Sequence, residues 1–224
     1  MKEQHTSTSI NTEIEHKKWF LKHYGLQEKS NATLYKEGYY EMMKKKFAPF
    51  VTTAATLTLK TSDMIVINKQ EKNKNSDSRD LSENSDLPEI RFRAYLDNEK
   101  LNSSLRYFTK RMNLYCFRRI RNYEKRNDDE KLLILFFVEG DGIRKHKHVH
   151  LAIGNVPEKH LNNISYLIRD AWSECDFSNS EIDVKPTYNT QGWLNYEVKE
   201  VEYGNTDVFN VVQSCIPRFI QDNV

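Results

Sequence analysis

The run Lys145-His146-Lys147-His148-Val149-His150-Leu151-Ala152-Ile153 holds two histidines one residue apart beside an apolar tail. On a β-strand successive side chains alternate between faces, so His148 and His150 point one way while Val149, Leu151 and Ile153 point the other. Two imidazoles on one face make half of a divalent metal site. A hard ion also wants an oxygen ligand. Glu139 stands nine residues before His148, at the end of the apolar run Lys131–Val138, and Gly140-Asp141-Gly142 supplies turn chemistry between them. A hairpin there brings one carboxylate and two imidazoles together and leaves coordination positions open, as catalysis requires. His146 shares the parity of the pair. The pair His148/His150 is preferred because Val149 suits a buried opposite face and Lys147 does not, which leaves His146 as a solvent-facing loop residue.

A second constellation is Gly192-Trp193-Leu194-Asn195-Tyr196-Glu197-Val198-Lys199-Glu200. On a helix Tyr196 and Lys199 lie one turn apart, side by side. A phenol titrates near ~10 and is a poor nucleophile alone. An adjacent ammonium, with a metal polarising the electrophile, favours the phenolate or its attack. Tyr-x-x-Lys also arises by chance in many helices, where it is a surface tyrosine packed on a lysine stem. Tyr203 follows two turns later, but Gly204-Asn205 ends a helix there, so it reads as structural.

A local basic stripe comes between Arg106 and Arg126, where Glu124 is the one opposing charge and Tyr107, Phe108, Tyr115, Phe117 and Tyr123 are interleaved. Lys110, Arg111, Arg118, Arg119 and Arg121 are its candidate nucleic-acid contacts; the plain alternative is a solvated helix face.

These residues need elements to hold them. Residues 1–48 read as polar, helical and aromatic-rich, with a frayed first ten residues. Val51–Thr61 is Thr-rich and alternating, a strand containing Thr56-Leu57-Thr58-Leu59. From Lys69 to Leu87 the chain offers almost nothing to bury and reads as a mobile insertion. A helix over about 97–123 carries its apolar stripe at Leu101, Leu105, Phe108, Met112 and Cys116. Lys131–Val138 is apolar at both parities, as a central strand covered on both faces should be. Pro157 opens another helix, a strand lies near 181–188, and a last helix spans about 190–201. The order β-α-β-β-α-β-α predicts an α+β fold, a central antiparallel sheet with helices packed on it.

A chain of 224 residues is long enough for one proper core. Its formal net charge of +2 says nothing about nucleic acid by itself. The three cysteines, Cys116, Cys175 and Cys215, form no CxxC pair, which argues against a zinc ribbon or disulfide framework and for a reducing compartment. No apolar run reaches the length of a membrane span and no signal-peptide core opens the chain, so an intracellular protein is expected.

Taken in order, Thr56-Leu57-Thr58-Leu59, His148-Val149-His150 and Trp193-Leu194-Asn195-Tyr196-Glu197-Val198-Lys199 resemble the three motifs of the HUH endonucleases, in the branch of rolling-circle replication initiators (Rep proteins) of phages and plasmids. The resemblance runs from about Val51 to Val201. Glu139 falls where that family carries its acidic ligand. Conjugative relaxases are less similar, because they place the tyrosine ahead of the histidines; here Tyr196 follows His150 by 46 residues. No Gly-x-x-x-x-Gly-Lys-Ser/Thr loop for a helicase domain is present.

The resemblance implies an endonuclease domain over 49–224, with 1–48 as a helical appendage and 69–87 as its flexible insertion. It implies Mg²⁺ or Mn²⁺ held by His148, His150 and Glu139 against a scissile phosphate. Tyr196 attacks to leave a 5′-phosphotyrosine and a free 3′-OH, and Lys199 orients the phosphate or favours the phenolate. The substrate is single-stranded origin DNA, with host replication proteins as partners and the cytoplasm of the element's host as location. Three other readings compete. A transposase of the same superfamily uses the same chemistry. A DNA-binding regulator could keep the fold without activity, although every expected catalytic side chain is present. Gly142 followed by His148-Val149-His150 also matches the start of a cupin motif, but the next segment leads into a helix rather than to that motif's glutamate, and cupins are strand-rich jelly rolls.

Overall fold

The computed structural model describes residues 32–67, 90–117, 130–140, 146–199, 201 and 208–222. The expected fraying terminus, the insertion at 69–87, Arg118, Arg119, Arg121 and Tyr203 lie outside the described residues. The elements are α1 (Ala32–Met42), continued by a π-helical turn (Met43–Phe47), then β1 (Val51–Leu59), β2 (Ser62–Ile67), β3 (Ile90–Tyr95) and α2 (Asn98–Phe117). There follow β4 (Leu133–Glu139), β5 (His148–Gly154), a 3₁₀ segment (Glu158–Asn163), α3 (Ile164–Ser173), β6 (Ser178–Pro186), α4 (Thr190–Glu197) and α5 (Arg218–Asp222).

Four strands form an antiparallel sheet in the order β4-β5-β1-β6, with helices packed on it, so the fold is α+β. The sequence reading missed the hairpin β2–β3, which forms a separate two-stranded sheet. Its strands flank the long polar segment, which draws attention away from the short alternating runs Ser62–Ile67 and Ile90–Tyr95. β4 is buried along nearly all its length, as its unbroken apolar run predicts, yet it stands at one end of the sheet and not at its centre as expected. The segment after residue 207 closes its outer edge. Ile134 exchanges backbone hydrogen bonds with Cys215 at 2.8 Å each way, and Val138 N–H donates to the Val208 carbonyl at 2.7 Å. An edge left open would be a template for unwanted strand pairing.

Strand alternation sorts the side chains onto two faces. Leu57, Phe136, Val149, Leu151 and Ile153 meet α2 and α3 through Leu105, Phe108, Met112, Ile168 and Trp172. The predicted stripe of α2, Leu101 through Cys116, is wholly buried there. On the other face Leu133, Leu135, Phe137 and Ala152 pack against Tyr39, Met43 and Phe47 of the N-terminal helix, Leu194 and Val198 of the tyrosine segment, and Phe209. Residues 36–47 of the expected appendage thus supply side chains to this second core. His148 and His150 have the parity of Ala152 and lie on this second face.

Candidate metal centre and tyrosine site

The hairpin β4–β5 is in register with Glu139 directly opposite His148 and Phe137 opposite His150. β1 lies on the other side of β5, with Thr56 opposite His150 and Thr58 opposite His148. The turn begins at Gly140, whose φ of 93° is costly for any residue with a Cβ. A Cβ there would also collide with the His146 carbonyl.

That carbonyl has a task. His148 Nδ1 lies 3.1 Å from the His146 oxygen, and since a carbonyl can only accept, Nδ1 carries the proton. The ligating nitrogen of His148 is therefore Nε2, 3.6 Å from Glu139 Oε2. His150 Nε2 converges on the same oxygen at 3.7 Å. One donor atom from each of Glu139, His148 and His150 lies within 4.8 Å of the others, and the three can hold a metal ion. Ligands around an octahedral Mg²⁺ sit about 3 Å apart at the usual bond lengths, so a small inward movement closes the set. His146 contributes its backbone oxygen rather than its ring, which gives the neighbour a positioning part the sequence did not suggest.

The remaining ring nitrogen of His150, Nδ1, faces inward. It lies 3.2 Å from Thr56 Oγ1 and 3.5 Å from Glu197 Oε2. Burial pushes the His150 pKa down, and the attraction of Glu139 only partly offsets it, so the imidazole is neutral near pH 7, as a ligand must be. Glu197 is fully buried, and burial, reinforced by the charge of Glu139, pushes its carboxyl up to about 8. Sequence reasoning passed over Glu197. The signal was present: Leu194, Glu197, Val198 and Val201 share the apolar side of the segment at helical spacing, and a glutamate in such a stripe is out of place.

α4 starts where Asn189 caps it, its side chain accepting from Gly192 N–H at 3.0 Å. It ends at Glu197, earlier than the expected 201, so Lys199 stands just past the helix. Tyr196 projects outward, 56% exposed. The Lys199 ammonium lies 3.4 Å from the centre of the Tyr196 ring and 3.0 Å from Glu139 Oε1. Burial acts to lower the Lys199 pKa, but contact with Tyr196 and Glu139 outweighs it and raises it, so the ammonium stays charged. Lys199 thus links the tyrosine to the carboxylate of the candidate metal set.

Beside these groups an open cleft of about 570 Å³ runs over β1 and β6. Ala54, Thr56, Trp193 and Tyr196 line it, and Tyr188 stands almost fully exposed at its rim. Small residues on β1 are what leave this part of the sheet face uncovered.

The basic stripe is placed differently. α2 packs on the opposite face of the sheet from the histidines. Lys110 is exposed there, and Arg111 is engaged by Glu174 at 2.5 Å and by the Tyr115 hydroxyl at 2.8 Å. The structure does not bring either of them to Tyr196. All three cysteines are free and buried, and no helix among the described residues is long and apolar enough to cross a membrane. Comparison of the chain with protein families, with curated proteins and with solved structures finds no match.

Proposed function

We propose that this chain is a metal-dependent endonuclease and ligase of single-stranded DNA that nicks a replication origin through Tyr196 and so starts rolling-circle replication of a phage or plasmid. The observation that carries the reading is the placement of an exposed tyrosine beside a converging Glu-His-His set, with one lysine touching both. A cupin-like metal protein has no use for that tyrosine and lysine, and the four-stranded sheet is no jelly roll.

His148, His150 and Glu139 would hold Mg²⁺ or Mn²⁺, and their mixed nitrogen and oxygen donors suit either ion. When bound, the ion supplies Lewis-acid stabilisation of the charge that builds on the scissile phosphate. The chain's own groups do the rest. The cleft along β1 and β6 receives the strand beside Tyr196. The phenol oxygen of Tyr196 forms the new bond to phosphorus as the bond to the 3′-oxygen breaks, and that oxygen leaves as a 3′-hydroxyl. The phosphodiester energy is kept in the tyrosyl ester, so a 3′-hydroxyl can reverse the step and reseal the strand. Lys199, held charged at the tyrosine ring, would meet and orient the phosphate. Host replication proteins would extend the free 3′ end, which places the reaction in the host cytoplasm.

The test is incubation with single-stranded oligonucleotides from the chain's own replicon, with Mn²⁺ or with chelator. A metal-dependent nick and a covalent protein–DNA band that disappears in Tyr196→Phe are expected. Cleavage that persists in Tyr196→Phe, with no adduct from wild type, overturns the reading.

A further inference from the structure

Among the described residues, two carboxylates are buried, Glu139 and Glu197, and the ring of His150 is strung between them. Glu139 Oε2 lies 3.7 Å from Nε2, and Glu197 Oε2 lies 3.5 Å from Nδ1. Glu139 has the Lys199 ammonium as a further partner, whereas neither oxygen of Glu197 makes a hydrogen bond with any described residue. A carboxyl with no surface exposure and no partner is costly to the fold, so a helix that buries one on its apolar side must gain something for it. Leu or Met at this position would fit the surrounding core of Leu194 and Val198 without that cost.

We infer that Glu197 is the positioning residue of the metal centre: its buried carboxyl accepts the Nδ1 proton of His150 and thereby aims Nε2 at the ion. Metal-ligating imidazoles regularly donate their second nitrogen to a carboxylate or carbonyl, which fixes tautomer and orientation and raises the basicity of the ligating nitrogen. His148 already meets that requirement through the His146 carbonyl. His150 has the Thr56 hydroxyl at 3.2 Å, which can orient the ring but cannot ionise, whereas Glu197 can, and a cation held by His150 would favour its carboxylate form. A tightening of a few tenths of an ångström makes 3.5 Å a hydrogen bond. Tyr196 and Glu197 are neighbours in the chain, so the segment that presents the tyrosine outward also braces the metal ligand from within. The two halves of the site are therefore fixed relative to each other by one short helix. The inference rests on the metal-centre reading above but not on DNA cleavage.

The experiment measures Mn²⁺ affinity of the intact chain by the electron paramagnetic resonance of free Mn²⁺, with thermal unfolding in chelator as the readout of fold. Glu197→Gln keeps the shape but cannot ionise. It is expected to bind Mn²⁺ about 10–100-fold more weakly than wild type, while unfolding at the same temperature or higher because a buried ionisable carboxyl has gone. Thr56→Val is expected to lose less affinity than Glu197→Gln. A purely packing role would leave Mn²⁺ affinity unmoved, so a folded Gln variant that binds as wild type does overturns the inference. So does a Thr56→Val variant that loses more than Glu197→Gln. If the Gln variant does not fold, Glu197→Asp decides: its shorter side chain cannot reach Nδ1, and wild-type affinity in it overturns the inference. A wild type that binds no Mn²⁺ sinks the metal-centre reading itself, an outcome distinct from equal binding by wild type and variant.

Discussion

Lys199 holds its ammonium 3.4 Å above the Tyr196 ring while the same nitrogen sits 3.0 Å from Glu139. One cation therefore contacts both the proposed nucleophile and the carboxylate of the candidate metal set. Lys199→Met should separate these effects. Adduct formation is expected to fall about 100-fold, the scale on which losing one electrostatic contact to a transition state acts. Mn²⁺ affinity should stay level or rise, because Glu139 loses a competitor. Parallel losses of adduct and metal would show that Lys199 only holds the site together.

The three ligands and their neighbour should divide cleanly. His148→Ala, His150→Ala and Glu139→Ala are each expected to remove Mn²⁺ binding in titration calorimetry. His146→Ala should retain it, since residue 146 acts on His148 through its backbone oxygen. Equal loss from His146→Ala would mean that its ring, not His148 or His150, completes the set.

Gly140→Ala is expected to weaken both fold and site. The positive φ and the approach of the His146 carbonyl leave no room for a methyl group. The strained backbone alone costs about 1 kcal/mol or more. Displacing the carbonyl releases His148, so Mn²⁺ affinity should drop beyond what the stability loss explains. Urea unfolding and Mn²⁺ titration on the same preparation measure the two together.

Glu197 gives the metal-free chain a pH dependence of known sign. Its carboxyl is raised from 4.5 to about 8 on folding, so the folded state holds a proton that the unfolded state releases. The stability it contributes is fully present below about pH 4.5 and is lost as pH rises through about 8. In chelator, Glu197→Gln should therefore gain on wild type in unfolding temperature as pH rises across that window. A difference that stays constant would place the carboxylate in contact with water or a cation.

Much of the fold was legible in the sequence because it follows from local periodicity. The apolar run of β4, the alternation of β1 and the stripe of α2 each announce an element and its buried side. The same alternation put His148 and His150 on one face, and Gly140 marked the turn that brings Glu139 back to them. The strands β2 and β3 escaped notice because they are short and separated by a long polar segment. The extent of α4 was overestimated because side-chain spacing alone does not mark where the Val198 C-cap stops it.

Sequence by itself determined the candidate set: an imidazole pair, a carboxylate, a tyrosine and a lysine, each placed by a period of two or of a helical turn. Only the tertiary structure decided how they meet. It brought Lys199, with Tyr196 against it, to Glu139 from 60 residues away, and it put the basic helix on the opposite side of the sheet. It also put Glu197 behind His150 and the His146 carbonyl behind His148. Periodicity reports which way a side chain points within its own element. Which element lies opposite, and which polar groups must then share a buried space, is set by packing between segments distant in the chain.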